Sequence, residues 1–196
     1  MNGHKQPKKD EMNIIEMQYP NLDDFEAEGL ILDIGGGGEG IIGQAKGKQV
    51  IAIDTSKREL EEALSDNLKI VMDATDLEFL DNSFETVTAF FTLMYMDEKT
   101  REKTFKEVFR VLKPNGRFLI WDVIIPEMDE EEKKKFYTVP IKVILQNKTI
   151  ETGYGVRRPA QDKEYYKKLA KKTDFNLLVE SEKDLIYYLE FQKKLK

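Results

Sequence analysis

The sequence predicts an α/β protein: a doubly wound, mostly parallel sheet of seven strands that closes with an antiparallel C-terminal hairpin. Three observations predict it. Five short apolar runs, rich in Val, Ile and Phe and without strict alternation, read LILDIG, QVIAID, NLKIVMD, FETVTAFFTLMY and GRFLIWDVII. Strands buried on both faces of a parallel sheet have this character. Polar, helix-compatible stretches separate the runs, and alternation of the two types is the mark of the α/β class. The chain then ends with FNLLVES and LIYYLEFQ around Glu182-Lys183-Asp184, a link too short for a parallel crossover.

In chain order, residues 1–9 are polar and basic and read as a tail. The segment from Asp10 to Glu28 carries Ile14, Ile15, Met17, Leu22 and Phe25, interrupted at Pro20-Asn21, and predicts a short helix, a turn and a lead into the core. Lys57 to Leu64 (KRELEEAL) predicts a helix. So does Glu98 to Leu112, with Phe105, Val108, Phe109 and Leu112 at helical spacing, before Pro114-Asn115-Gly116 turns the chain. Met128 to Tyr137 (MDEEEKKKFY) predicts a charged surface helix. Val139 to Val156 reads as extended, with IKVIL and TIETGYGV around a hairpin turn at Gln146-Asn147-Lys148. Asp162 to Lys172 predicts the last helix.

At 196 residues the chain suits one domain or slightly more, and 40% apolar residues suffice for one core. The balance of 31 basic against 37 acidic residues, net charge −6, argues against a nucleic-acid partner, which would need a basic face. No cysteine occurs, which removes disulfides, thiolate metal sites and thiol nucleophiles. The one histidine, His4, lies in the Lys-rich start, so an imidazole triad or multi-His metal site is excluded. No run matches a membrane span, and the N-terminus has no apolar signal region, so no membrane partner and a cytoplasmic location are expected.

In an open parallel sheet, ligands bind beyond the carboxyl ends of the strands. After the first run stands Asp33-Ile34-Gly35-Gly36-Gly37-Gly38-Glu39-Gly40, where glycines permit close backbone approach. The run also fits the letter pattern Gly35-x-Gly37-x-x-Gly40 of dinucleotide folds. After the second stands Asp54, an acceptor able to take both hydroxyls of a ribose; the competing role is to cap the following helix, which Thr55 or Ser56 could do instead. After the third stands Asp73-Ala74-Thr75, where a carboxylate can accept from an adenine amino group; a cap or turn, and Asp76, compete for that role. After the fourth stands Phe90-Phe91-Thr92-Leu93-Met94-Tyr95, an apolar wall.

LILDIGGGGEG, VIAID, VMDATDLEFLDNSFETVTAFFTLMYM and EVFRVLKPNGRFLIWD resemble successive motifs of the class I S-adenosylmethionine-dependent methyltransferases. They are most similar to the small-molecule branch that includes the ubiquinone and menaquinone biosynthesis methyltransferases. The resemblance runs from about Leu30 to Asp122. It implies a Rossmann-like methyltransferase domain over 29–196, with a lid or arm insertion near 126–160 and a preceding tail and helix over 1–28 that could serve as a lid. It implies S-adenosyl-L-methionine as cofactor and S-adenosyl-L-homocysteine as product. Asp33, Gly35, Gly36 and Gly37 would hold the methionine moiety, Asp54 the ribose, and Thr55, Asp73 and Ala74 the adenine. Phe90 would offer backbone to the amino group. Two departures stand out: Glu39 replaces the family's glycine, which is displaced to Gly40, and Met94-Tyr95 replaces a histidine frequent in relatives.

The rival from another class is a nicotinamide-dependent oxidoreductase. Its pyrophosphate would sit beside Glu39, and two like charges about 5 Å apart at an effective dielectric of about 20 repel by about 3 kcal/mol. A sulfonium and an amino-acid zwitterion tolerate that carboxylate. Tyr95-x-x-x-Lys99 has the spacing of a reductase Tyr/Lys pair but follows the wrong strand. A non-catalytic cofactor-binding module and a protein or RNA methyltransferase complete the alternatives. No catalytic residue and no metal site is assigned; if a base is required, Tyr95, Tyr154 or a carboxylate would serve. The acceptor pocket is expected from Ile14, Met17, Tyr19, Met94 to Met96 and the 139–158 insertion. Arg157-Arg158 there could clamp an anion or remain a solvated pair, and the insertion could be a lid or the arm of a homodimer.

Overall fold

Seven of the strands form one twisted sheet in the order β4-β3-β2-β5-β6-β10-β9. The computed structural model describes residues 12–20, 22, 25–124, 136–145, 148–157 and 162–194. The five apolar runs become β2 (Ile31–Ile34), β3 (Val50–Asp54), β4 (Leu68–Val71), β5 (Phe84–Phe90) and β6 (Leu112–Val123), all parallel. The terminal hairpin is β9 (Phe175–Lys183) and β10 (Ile186–Lys193), with β10 inserted antiparallel beside β6. Strand order reverses between β2 and β5, the switch point at which a cleft opens in such sheets.

The helices fall on both faces as periodicity requires. On one face α3 (Glu98–Val111) and α4 (Lys163–Lys172) bury Phe105, Val108, Tyr166 and Leu169 against Leu32, Val87, Phe118 and Leu189. Asp97 and Asp162 cap them, each accepting from the backbone N–H three residues on. The Pro114-Asn115-Gly116 turn survives as an irregularity within β6: Asn115 takes φ 63, and the pairing jumps from Leu112 to Arg117 while β5 advances only from Phe84 to Thr86.

The opposite face carries α1 (Ile41–Lys46), α2 (Lys57–Glu62) and a second, three-stranded sheet in the order β1-β7-β8. Its hairpin, β7 (Phe136–Leu145) with β8 (Lys148–Arg157), pairs in register from Phe136↔Arg157 to Leu145↔Lys148, as the extended reading expects. Tyr137, Val139, Ile141 and Val143 alternate inward and are fully or almost fully buried with Phe91, Trp121 and Leu119.

Two expectations are corrected. The described residues of the N-terminal segment form no helix: β1 (Met12–Ile14) lies parallel to β7, and the chain continues along it through Ile15 N–H to Thr138 O and Gln18 N–H to Pro140 O. The free edge of β7 supplies backbone partners that a short uncapped helix would have to find for itself, and tertiary pairing overrides a weak local pattern. Secondly, Phe136 and Tyr137 belong to β7; the rest of the charged helix expected at Met128 to Tyr137 falls outside the described residues. Among the described residues no helix is long and apolar enough to cross a membrane.

Candidate functional site

The glycine loop leaves β2 at the switch point. Gly35 takes φ 68, and a Cβ there would collide with Thr92 Oγ1, so the position needs glycine twice over. The N–H groups of Gly35 and Gly36 both donate to Ile53 O, at 2.8 and 3.0 Å, which pins the loop to the end of β3. Gly36 has no room either: its Cβ would meet Asp33 Oδ2 at 2.6 Å and Ala52 Cβ at 2.8 Å.

Asp33 therefore lies beneath the loop. It is 2% exposed and accepts from Thr88 Oγ1 at 2.7 Å. Burial pushes its carboxyl up to about 7; the Thr88 hydrogen bond opposes this, and the charge of Asp54 adds to it. Asp54 stands at the rim. Its Oδ1 accepts from Ser56 N–H at 2.8 Å, and Ser56 is the cap of α2, accepting from Glu59 N–H. The competing helix-cap role is thus already filled. Asp73 accepts from Thr75 N–H at 2.8 Å in a local turn and remains exposed; Ala74 beside it is buried.

Two cavities adjoin over these strand ends. The larger, about 920 Å³, is bordered by Gly35, Gly37, Asp54 and Phe90. The smaller, about 500 Å³, is bordered by Gly35, Asp54, Thr55, Asp73 and Ala74. Gly35, Asp54, Thr92 and Tyr95 border both. Of the residues assigned to the cofactor from sequence, Asp33 and Gly36 border neither, because they support the loop from below.

The insertion expected from sequence to serve as a lid or arm contributes β8 to the cleft; what sequence reasoning did not supply is how it meets the glycine loop. Thr149 to Tyr154 of β8 line the larger cavity, so the hairpin spans the cleft. Thr152 Oγ1 donates to Glu39 Oε1, Lys148 Nζ donates to Gln44 Oε1, and Gln44 Nε2 donates to Glu39 O. Tyr154 stacks on Phe91 with ring centroids 5.0 Å apart and planes 5° from parallel. Phe91 itself holds φ 50, a strained conformation for an aromatic residue, and donates its N–H to Trp121 O at 2.9 Å. Glu39, the departure from the family pattern, is thus the foot on which the roof rests. The TIETGYGV pattern predicted a strand but carried no sign of a partner 113 residues away.

Burial first, then the charge of Glu39, then Tyr95 and Asp33, hold the Tyr154 phenol well above its ordinary value. Tyr95 shifts the same way through burial, Asp122 and Glu39, although its 58% exposure leaves water to screen part of the effect. Both hydroxyls stay protonated near neutral pH. The expected acceptor-pocket residues Ile14 and Met17 are exposed away from the cleft, while Tyr19 borders a separate apolar groove of about 380 Å³ with Phe25, Trp121 and Tyr188. Met96 borders the smaller cavity. Arg158 and the side chain of Arg157 fall outside the described residues. Among the described residues no group of His, Cys, Asp and Glu could hold a metal ion.

Residues 32–120 match the family model described as a methyltransferase domain. The chain is 31% identical over 155 residues to the ubiquinone/menaquinone biosynthesis C-methyltransferase UbiE of Rickettsia typhi, covering 67% of this chain and 60% of that one. It is 41% identical over 88 residues to the demethylmenaquinone methyltransferase of Clavibacter sepedonicus, covering 42% and 35%. It thus spans roughly a third to three fifths of the length of these relatives. In fold it is similar to a SAM-dependent methyltransferase from Methanosarcina mazei, with TM-score 0.66 and 20% identity over 91% of this chain and 99% of that one. The strand order, the glycine loop at the switch point and the matched domain agree, and the chain belongs to the class I S-adenosylmethionine-dependent methyltransferases.

Proposed function

We propose that the protein transfers a methyl group from S-adenosyl-L-methionine to a small-molecule acceptor by in-line displacement. The observation that carries this reading is the convergence of Gly35, Gly37, Asp54 and Asp73, from three successive strand ends, on two adjoining cavities. The donor set suits the cofactor. Asp54 keeps one carboxylate oxygen beyond its bond to Ser56 and can accept from ribose hydroxyls. Thr55, Asp73 and Ala74 border the smaller cavity, where adenine would lie. Gly35 to Gly37 and Phe90 would hold the methionine end by backbone, with Asp33 as a buried acid beneath the loop.

The cofactor, once bound, supplies an activated methyl on a sulfonium with a neutral thioether as leaving group. The protein's own contribution is alignment and exclusion of water, and alignment alone can be worth roughly 7–11 kcal/mol. The β8 roof and the Phe91–Tyr154 stack would exclude water. Because Tyr95 and Tyr154 stay protonated, neither serves as a general base, and their hydroxyls orient the acceptor. A homodimer through 139–158 would use the free outer edge of β8, and light scattering distinguishes it from a monomer.

Glu39 supports this reading over a nicotinamide oxidoreductase, because its carboxyl faces the cleft beside Gly38, where a pyrophosphate would lie. Calorimetric titration tests it. S-adenosylhomocysteine is expected to bind and NADH not to. Asp54→Ala is expected to weaken S-adenosylhomocysteine on the order of 10- to 100-fold, the loss of charge-assisted hydrogen bonds. Binding of NADH without S-adenosylhomocysteine overturns the proposal.

A further inference from the structure

We infer that the acceptor is an amine, recognised as its ammonium between the Glu39 carboxylate and the aromatic wall of Phe91, Tyr95 and Tyr154. The inference rests on the methyltransferase reading and names the substrate class of that same cleft. Asp54, Thr55, Asp73 and Ala74 belong to the end assigned to the cofactor. The wall that remains includes Glu39, Phe91, Tyr95, Lys148, Thr152 and Tyr154.

Charge bookkeeping of the larger cavity selects the class. Among the described residues its carboxylates are Glu39, Asp54, Glu59, Glu62 and Glu151, and its one cation is Lys148. Lys148 donates to the neutral Gln44 Oε1 and has no carboxylate partner among the described residues. Glu59 and Glu62 are satisfied by Arg58, and Glu151 by Lys142 at 2.7 Å. Glu39 has no ion pair among the described residues; Thr152 takes one oxygen, and the other is left for a ligand. Among the described residues an acceptor bearing a phosphate or carboxylate would meet Lys148 alone, and it would add a like charge beside Glu39. An ammonium meets the Glu39 carboxylate beside Tyr95 and the stacked rings of Phe91 and Tyr154, a combination of the kind that binds cationic ligands. The phenols of Tyr95 and Tyr154 sit within the influence of Glu39, which places all three groups in one neighbourhood.

The chemistry balances without a further reagent. The ammonium releases one proton to solvent before the cleft closes to water; its nitrogen lone pair then forms the new N–C bond to the methyl carbon while the C–S bond breaks and its electron pair stays on sulfur. The positive charge thereby passes from sulfur to nitrogen and remains opposite Glu39.

The test is binding to the protein saturated with S-adenosylhomocysteine, read by calorimetry and by saturation-transfer NMR. The probes are phenethylamine, 2-phenylethanol and 3-phenylpropionate, similar in size and different in charge. Phenethylamine is expected to bind best, and Glu39→Gln to weaken it about tenfold or more while S-adenosylhomocysteine affinity changes little, since the Gln carbonyl can still accept from Thr152. Thr152→Val, which removes the hydroxyl and keeps the charge, is expected to preserve the preference for the amine. Equal or tighter binding of 3-phenylpropionate, amine binding insensitive to Glu39→Gln, or no amine binding at all overturns the inference. Failure of the wild-type protein to bind S-adenosylhomocysteine instead overturns the methyltransferase reading.

Discussion

At the scale of single residues, the sheet buries carboxylates that an unfolded chain would leave in water. Asp33 and Asp122 are 2% and 1% exposed, and burial pushes both up to about 7. The direction sets the pH response. Near pH 4 and below, both states hold the proton. Between about 4 and 7 the unfolded chain releases it while the folded chain retains it, so the native state binds more protons and stability falls as pH rises through that window. For Asp33 the gap between 3.8 and about 7 corresponds to about 4 kcal/mol at most. Asp33→Asn, which removes the buried charge, is expected to gain most of that stability over wild type at pH 8 and little near pH 4, measured by urea denaturation at each pH. A constant difference across the range contradicts the burial account. S-adenosylmethionine affinity is expected to fall in the same variant, because the acid beneath the loop is lost.

At the scale of elements, the second sheet is the departure that matters. Where a doubly wound fold can place a helix, this chain lays β7 and β8 across the strand ends and recruits β1 to their edge. The alternation Tyr137, Val139, Ile141, Val143 is the period-two signature of a sheet with one buried face; the sequence read Val139 to Val156 as extended but placed Tyr137 in a charged helix. Ile141 is fully buried in the core that this sheet shares with Trp121 and Phe91. Ile141→Ala is expected to cost about 2–5 kcal/mol and to lower the denaturation midpoint accordingly. It is also expected to weaken S-adenosylhomocysteine binding, since the roof rests on that core; unchanged affinity would show that the roof does not help to hold the cofactor. The β1 edge was not legible. Three residues carry no period, and their conformation is set by the partner they meet rather than by their own propensity.

At the scale of the whole molecule, the cleft ties together segments distant in sequence, so ligand binding is expected to stabilise the fold as a unit. At 100 times its dissociation constant a ligand adds about 2.7 kcal/mol. For a chain of this size that is a rise in Tm of about 5–10 °C. Differential scanning fluorimetry with S-adenosylhomocysteine should show it, and NADH should not; a rise with both would sever stabilisation from the proposed cofactor. The strands, the helices of the sheet's far face and the carboxylates at strand ends were determined by the sequence itself, because burial on one or two faces writes a period into the chain and because ligand chemistry demands glycine and Asp at fixed places after a strand. Only the tertiary structure decided that Asp33 lies under the loop while Asp54 faces the cleft, that Glu39 meets Thr152, and that Tyr154 covers Phe91. These are contacts between residues tens to more than a hundred positions apart, fixed by how two sheets pack, and no local pattern in the chain encodes the register of that packing.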